Sequence, residues 1–98
     1  MRNLEDLKNI LQEHKEELSQ KYGVIEVGIF GSYVKNKQDE ASDVDILVDF
    51  RESVDLLTFV HLKNYLSELV GTNVDLVMKK ALKPGIGRRI LREVMYIE

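Results

Sequence analysis

Residues 43–50 read Asp-Val-Asp-Ile-Leu-Val-Asp-Phe, and no other segment constrains the fold as tightly. Successive side chains on a β-strand point to opposite faces. Val44, Ile46, Val48 and Phe50 therefore share one face, while Asp43, Asp45, Leu47 and Asp49 share the other. This pattern predicts a strand over 44–50 with one apolar face. Asp43 and Asp45 stand one residue apart and point the same way. Like charges that close repel and call for a cation between them.

Two more runs have strand character. Val24 to Phe30 is rich in β-branched and aromatic residues and reads as a buried strand. Gly28 within it marks a close approach by another backbone. Asn73 to Met78 sets Val74, Leu76 and Met78 on one face and Asp75 and Val77 on the other. Helical spacing fills the intervals. Leu4, Leu7, Leu11, His14 and Leu18 step by three and four, which predicts one amphipathic helix over 3–20, capped at Gly23. Ser53 serves as N-cap for a helix over 54–70 that ends at Gly71. Its apolar residues Leu56, Phe59, Val60, Leu62, Leu66, Leu69 and Val70 suit burial over much of its circumference. Pro84 opens a last helix over 84–97, with Ile86, Ile90, Val94 and Ile97 as its stripe. Gly31-Ser32 breaks the first strand before a short helix over 33–37, and residues 35–42 form a polar loop. The order α-β-α-β-α-β-α gives a small α/β or α+β sheet covered by helices. Strand order and direction do not follow from it.

The chain has 98 residues, the size of one domain, expected to run over 1–98. Its net charge of −3 argues against a general affinity for nucleic acid or for an anionic membrane. The absence of cysteine excludes disulfides, thiolate chemistry and cysteine-held zinc, but not a metal held by oxygen. With no signal-peptide pattern and no 18-residue apolar run, a cytoplasmic location is expected.

The chemistry-bearing residues cluster. Asp43 and Asp45 are hard oxygen ligands of the kind that hold Mg²⁺ for phosphoryl or nucleotidyl transfer. A bare Asp-x-Asp is more often a pair of solvated carboxylates, so its neighbours decide. Asp75 lies among apolar residues, where a charge is costly unless paired or metal-bound. It either joins the same metal site, acts as a general base, or occupies an exposed strand face. Gly31 lets backbone approach a phosphate, and Ser32 adds a hydroxyl. Lys35 and Lys37 lie in the loop between the two parts; they either contact phosphates or are solvated loop charges, the second being the better reading for Lys37. Lys79, Lys80, Lys83, Arg88, Arg89 and Arg92 make the C-terminal region basic; they either face an anionic ligand or solvate a helix. Asp49 is expected to favour the start of the following helix. His14 and His61 read as core-edge histidines, and Tyr33 is a candidate for stacking on a base.

Gly-Ser, ten residues, Asp-x-Asp and a third aspartate in a later strand resemble the nucleotidyltransferase superfamily typified by DNA polymerase beta. The small size is similar to that of the minimal nucleotidyltransferases of archaea and bacteria, and the resemblance runs from about Val24 to Ile97. It implies a nucleotidyltransferase fold with a small mixed β-sheet. It also implies that Gly31 and Ser32 bind nucleotide phosphates and that Asp43 and Asp45 hold two Mg²⁺ ions. Asp75 would complete one metal site and help activate the nucleophile. Many relatives are antitoxins that transfer AMP from ATP to a tyrosine of a partner HEPN ribonuclease toxin. The chain departs from the family where Ala-Arg-Gly often follows Gly-Ser-x. Here Val34-Lys35-Asn36 stands there. Lysine keeps the charge without the guanidinium fork, and asparagine tolerates the left-handed backbone that glycine would adopt. Weakened nucleotide binding is expected.

The leading expectation is an Mg²⁺-dependent protein adenylyltransferase antitoxin that uses ATP. A non-catalytic module that neutralises its partner by occlusion is the alternative, as is transfer to a small molecule or an RNA end. Exposed strand edges and apolar helix faces also predict association, with itself or with a partner protein.

Overall fold

β2 (Val44–Phe50) spans the length that its alternation predicts. It sits inside a four-stranded sheet of order β3-β2-β1-β4, with β1 at Val24–Phe30, β3 at Val74–Met78 and β4 at Met95–Tyr96. β1 runs antiparallel to both β2 and β4, while β3 runs parallel to β2, so the sheet is mixed. Parallel neighbours need a long crossover, supplied here by α3 (Leu56–Val70). The computed structural model describes residues 3–39 and 41–98. Met1 and Arg2 of the expected domain, and Glu40 of the expected loop, lie outside the described residues.

The apolar face of β2 forms the main core with Val27 and Ile29 of β1 and Val74 of β3. Against it pack Leu7 and Leu11 of α1 (Leu4–Glu13), Leu18 of α2 (Lys15–Tyr22), and Leu62, Leu66 and Val70 of α3. Tyr65 of α3 donates a 2.6 Å hydrogen bond to Glu17 of α2, which ties the helical layer together. On the opposite face, Phe30 and Leu47 meet Ile90 of α4 (Pro84–Glu93) in a smaller cluster. That face is therefore covered in its middle and open at its ends. Among the described residues, no helix is long and apolar enough to cross a membrane.

Several expectations need correction. The helix expected over 3–20 is two helices that break at His14 (φ −105°, ψ 5°). The His14 ring bonds the Ile10 carbonyl at 2.8 Å and so satisfies an acceptor left by the break. α3 is capped by Asp55, whose carboxylate accepts from the Thr58 N–H at 2.8 Å, and not by Ser53. Nor is α3 buried around its girth: Leu56 and Leu57 are 77% and 66% exposed. The last helix stops at Glu93, and Met95–Tyr96 pairs with β1 instead. Gly28 permits this. A Cβ there would lie 2.6 Å from Val94 Cγ2 and 3.1 Å from the Met95 carbonyl oxygen. The close approach expected at Gly28 is therefore real, and β4 makes it. Ile97 continues into the main core, while Ile86 is exposed rather than part of a buried stripe. The expected short helix over 33–37 is a 3₁₀ turn at Gly31–Tyr33.

Candidate active site

Register determines what the two acidic strands present. Asp45 pairs with Asp75 across the parallel β2–β3 ladder and with Phe30 across the antiparallel β1–β2 ladder. Gly31 follows Phe30, so the end of β1 and the starts of β2 and β3 meet at one point. A methyl group on Gly31 would overlap the Asp45 carboxylate. Gly31 also has φ +79°, a left-handed conformation that favours glycine. Both facts make glycine the residue for this turn.

The carboxylates press on one another. The Asp45 pKa is pushed up to about 6, first by burial, then by Asp75, whose carboxylate lies in hydrogen-bonding reach, and then by Asp43 and Glu93. Among the described residues, no ion pair reaches Asp43, Asp45 or Asp75. Asp75 itself is exposed, so its flanking apolar residues do not bury it. Asp43 is exposed as well. No three His, Cys, Asp or Glu side chains among the described residues close into a metal cage. Mg²⁺ does not require one, since it commonly takes one or two carboxylates and completes its shell with water and substrate phosphates. A pair of unbalanced, hard oxygen donors fits that ion.

Lys35 does not stand free. Its Nζ lies 3.2 Å from Glu93 Oε2, and Glu93 Oε1 accepts from the Gly31 N–H at 3.1 Å. Glu93 escaped the reading of the sequence. The helix expected over 84–97 hid it; only the observed end of α4 puts this acid in a last turn, where the dipole favours a cation. Ser32 lies partly exposed within the turn, and its carbonyl accepts from the Lys37 N–H at 2.9 Å. Asn36 adopts φ 57°, the left-handed conformation that asparagine was expected to tolerate at this position.

Other candidates lie elsewhere. Tyr33 is buried in the main core, so it offers no face to a base. Lys79 pairs with Glu26, and Lys80 approaches Asp49, at the far end of the open face. Asp49 accepts from its neighbour's N–H at Phe50 and does not cap α3. Arg88, Arg89 and Arg92 are exposed, as is His61, which is no core-edge residue.

A family model described as a nucleotidyltransferase domain matches residues 11–97. The chain belongs to the nucleotidyltransferase family. It is 54% identical over 97 residues to the protein adenylyltransferase MntA of Thermococcus cleftensis, covering 99% of this chain and 98% of the relative. A solved structure described as a minimal nucleotidyltransferase superposes with a TM-score of 0.79 at 35% identity, over 96% of this chain and 95% of the other. The fold also matches one chain of a complex described as a tri-AMPylated Shewanella oneidensis HEPN toxin with MNT antitoxin. There the TM-score is 0.68 at 17% identity, over 93% of this chain and 71% of that one. The mixed sheet and its helices are thus those of a minimal nucleotidyltransferase.

Proposed function

We propose that residues 1–98 act as one catalytic domain that transfers AMP from ATP to a tyrosine of a partner HEPN-type toxin in the cytoplasm and thereby restrains it. One observation carries the reading: Asp45 and Asp75 face each other beside a glycine turn, and no cation among the described residues pairs with them. The likeness to MntA supports the protein acceptor, as does the fold shared with the tri-AMPylated toxin complex.

Asp43, Asp45 and Asp75 would hold Mg²⁺, which would neutralise the triphosphate and lower the cost of charge developing on the leaving group. Gly31 and Ser32 bring backbone close to the phosphates, and Lys35 adds a positive charge at the mouth of the site. Asp75 is exposed and faces Asp45, so it can accept the proton from an incoming tyrosine hydroxyl. The tyrosine oxygen then bonds to the α-phosphorus. The bond from that phosphorus to the bridging oxygen of the β-phosphate breaks, and pyrophosphate leaves. The acidic chain brings no general affinity for RNA, which favours a protein acceptor.

The test uses α-labelled ATP, Mg²⁺ and the co-purified partner, with Asp45→Asn alongside. Label on a partner tyrosine that disappears in the variant is the expected result. Label in RNA, or full neutralisation of the partner by the variant, overturns the reading.

A further inference from the structure

We propose that Glu93 is a positioning residue for nucleotide binding, because its carboxylate bridges the two ends of the Gly31–Lys35 turn. The inference rests on the nucleotidyl-transfer reading above and assigns a role to a residue outside the Gly-Ser and Asp-x-Asp segments.

Both carboxylate oxygens are engaged. Oε1 accepts from the Gly31 N–H at 3.1 Å, and Oε2 lies 3.2 Å from Lys35 Nζ. The Glu93 side chain is only 18% exposed, whereas Lys35 remains 46% exposed. An ammonium group has three donors, so Lys35 can hold Glu93 and still present a charge outward. Inside the turn, the Gly31 carbonyl accepts from the N–H groups of Val34 and Lys35, each at 3.1 Å. Glu93 closes the turn from outside. It holds Gly31 in the left-handed conformation that seats it against Asp45.

The placement of Glu93 is built into the sheet. In the antiparallel β1–β4 pair, Gly28 faces Tyr96 and Ile29 faces Met95. α4 ends at Glu93 just before this pair begins, which brings the end of the helix beside the end of β1 and the Gly31 turn. Val94 packs on Gly28 immediately after Glu93, which anchors the backbone at the end of α4 against β1. Glu93 also sits in the last turn of α4, where the helix dipole disfavours an acid. The fold tolerates that cost, and the contacts to the turn offset it.

Binding of a non-hydrolysable ATP analogue with Mg²⁺ to the whole chain tests this, together with KM and kcat for AMP transfer. Glu93→Ala is expected to raise Kd and KM about tenfold, the loss of a charged hydrogen bond, with kcat held within about twofold. Glu93→Gln keeps an acceptor for Gly31 and should lie between wild type and Ala. Glu93→Asp keeps the charge but is too short to span both partners, so it should resemble Ala. A role in folding alone would not separate Gln from Asp in this order, and that pair decides the matter if Ala fails to fold. Unchanged affinity in Asp and Ala overturns the proposal. So does tighter binding in Ala, which would make Glu93 a competitor of the phosphates. Failure of the wild-type chain to bind the Mg²⁺–nucleotide complex would overturn the nucleotidyl-transfer reading itself, before any variant is compared.

Discussion

The open face of the sheet carries acids at both ends, and the fold treats them in opposite ways. At one end Glu26 pairs across the ladder with Asp49. Lys79 lies 2.7 Å from Glu26, and Lys80 lies 3.8 Å from Asp49. At the other end Asp45 pairs across the ladder with Asp75, Asp43 adds a third charge nearby, and Lys35 is engaged with Glu93. Asp45 and Asp49 stand on the same strand with the same parity. Asp49 has a countercharge within the fold, and Asp45 has none among the described residues, which leaves room for a charge to arrive. Proteins keep such local frustration where function requires it. The difference between the two aspartates, more than the presence of either, marks the site.

The largest difference between the two ends is expected between Asp45→Asn and Asp49→Asn. Asp45→Asn should cost about a thousandfold or more in AMP transfer, the order expected when several kcal/mol of metal-assisted charge stabilisation is lost. Asp49→Asn should stay within about threefold, as for a partly solvated ion pair. Melting in EDTA should reverse the ranking, because Asp45→Asn removes repulsion and should raise Tm. Equal kinetic losses in the two variants would mean that the ends do not differ in role.

Gly31→Ala comes next in size. The added methyl would meet the Asp45 carboxylate, and φ +79° strains any side chain. Displacement of Asp45 by about 1 Å should lower kcat/KM on the order of a hundredfold. Gly23→Ala provides the control. It shares the positive φ, at 72°, but a Cβ there meets nothing within 4 Å. Its penalty should therefore appear in stability and leave turnover near wild type. If Gly31→Ala behaves like Gly23→Ala, steric packing against Asp45 is not what the glycine is for.

The acidic side of this comparison could be read from the sequence. Alternation in 43–50 separates Val44, Ile46 and Val48 from Asp43 and Asp45, and that parity survives folding. The left-handed tolerance of Asn36 was equally local, and the residue uses it. What parity could not supply was register, and register makes Asp45 and Asp75 partners. β4 was hidden for a related reason. Two residues are too few to show a period, and Ile90, Val94 and Ile97 fit a helical stripe equally well. The lysines that balance Glu26 and Asp49 are 53 and 31 residues away in sequence, so only tertiary structure could separate a paired acid from an unpaired one. Glu93, 62 residues from Gly31, was missed on the same ground.

The unbalanced end should also respond to pH. The Asp45 pKa lies near 6 in the folded chain, above its usual 3.8. Between these values the folded state holds a proton that the unfolded state has released. The metal-free protein should therefore be more stable near pH 4 than near pH 6.5 as far as Asp45 is concerned, losing stability as pH rises through 6. Partial exposure of Asp45 tempers the size of the loss. Mg²⁺ should remove it, since a cation at the site favours the ionised form. Saturation to a hundred times Kd would add about 2.7 kcal/mol. Thermal melts at pH 4.5 and 6.5, with EDTA or Mg²⁺, should show the largest metal effect at the higher pH, and Asp45→Asn should flatten the contrast. A metal-induced rise in Tm that is the same at both pH values would separate Mg²⁺ binding from Asp45.

The smallest effect is expected at the balanced end. Lys79 holds Glu26 at 2.7 Å and sits 5.2 Å from the Tyr96 ring centre, so it bridges β1 and β4 from the open face. Both charged side chains remain substantially solvated, at 31% and 41% exposed. Lys79→Ala should cost less than about 1 kcal/mol of stability, because exposed ion pairs gain little over water. Its penalty should shrink at high salt, where the interaction is screened. AMP transfer should hardly change, since this pair lies at the end of the face away from Asp45 and Asp75. A loss of activity approaching that of Asp45→Asn would mean that the lysines reach the chemistry, and the division of this face into a balanced and an unbalanced end would fail.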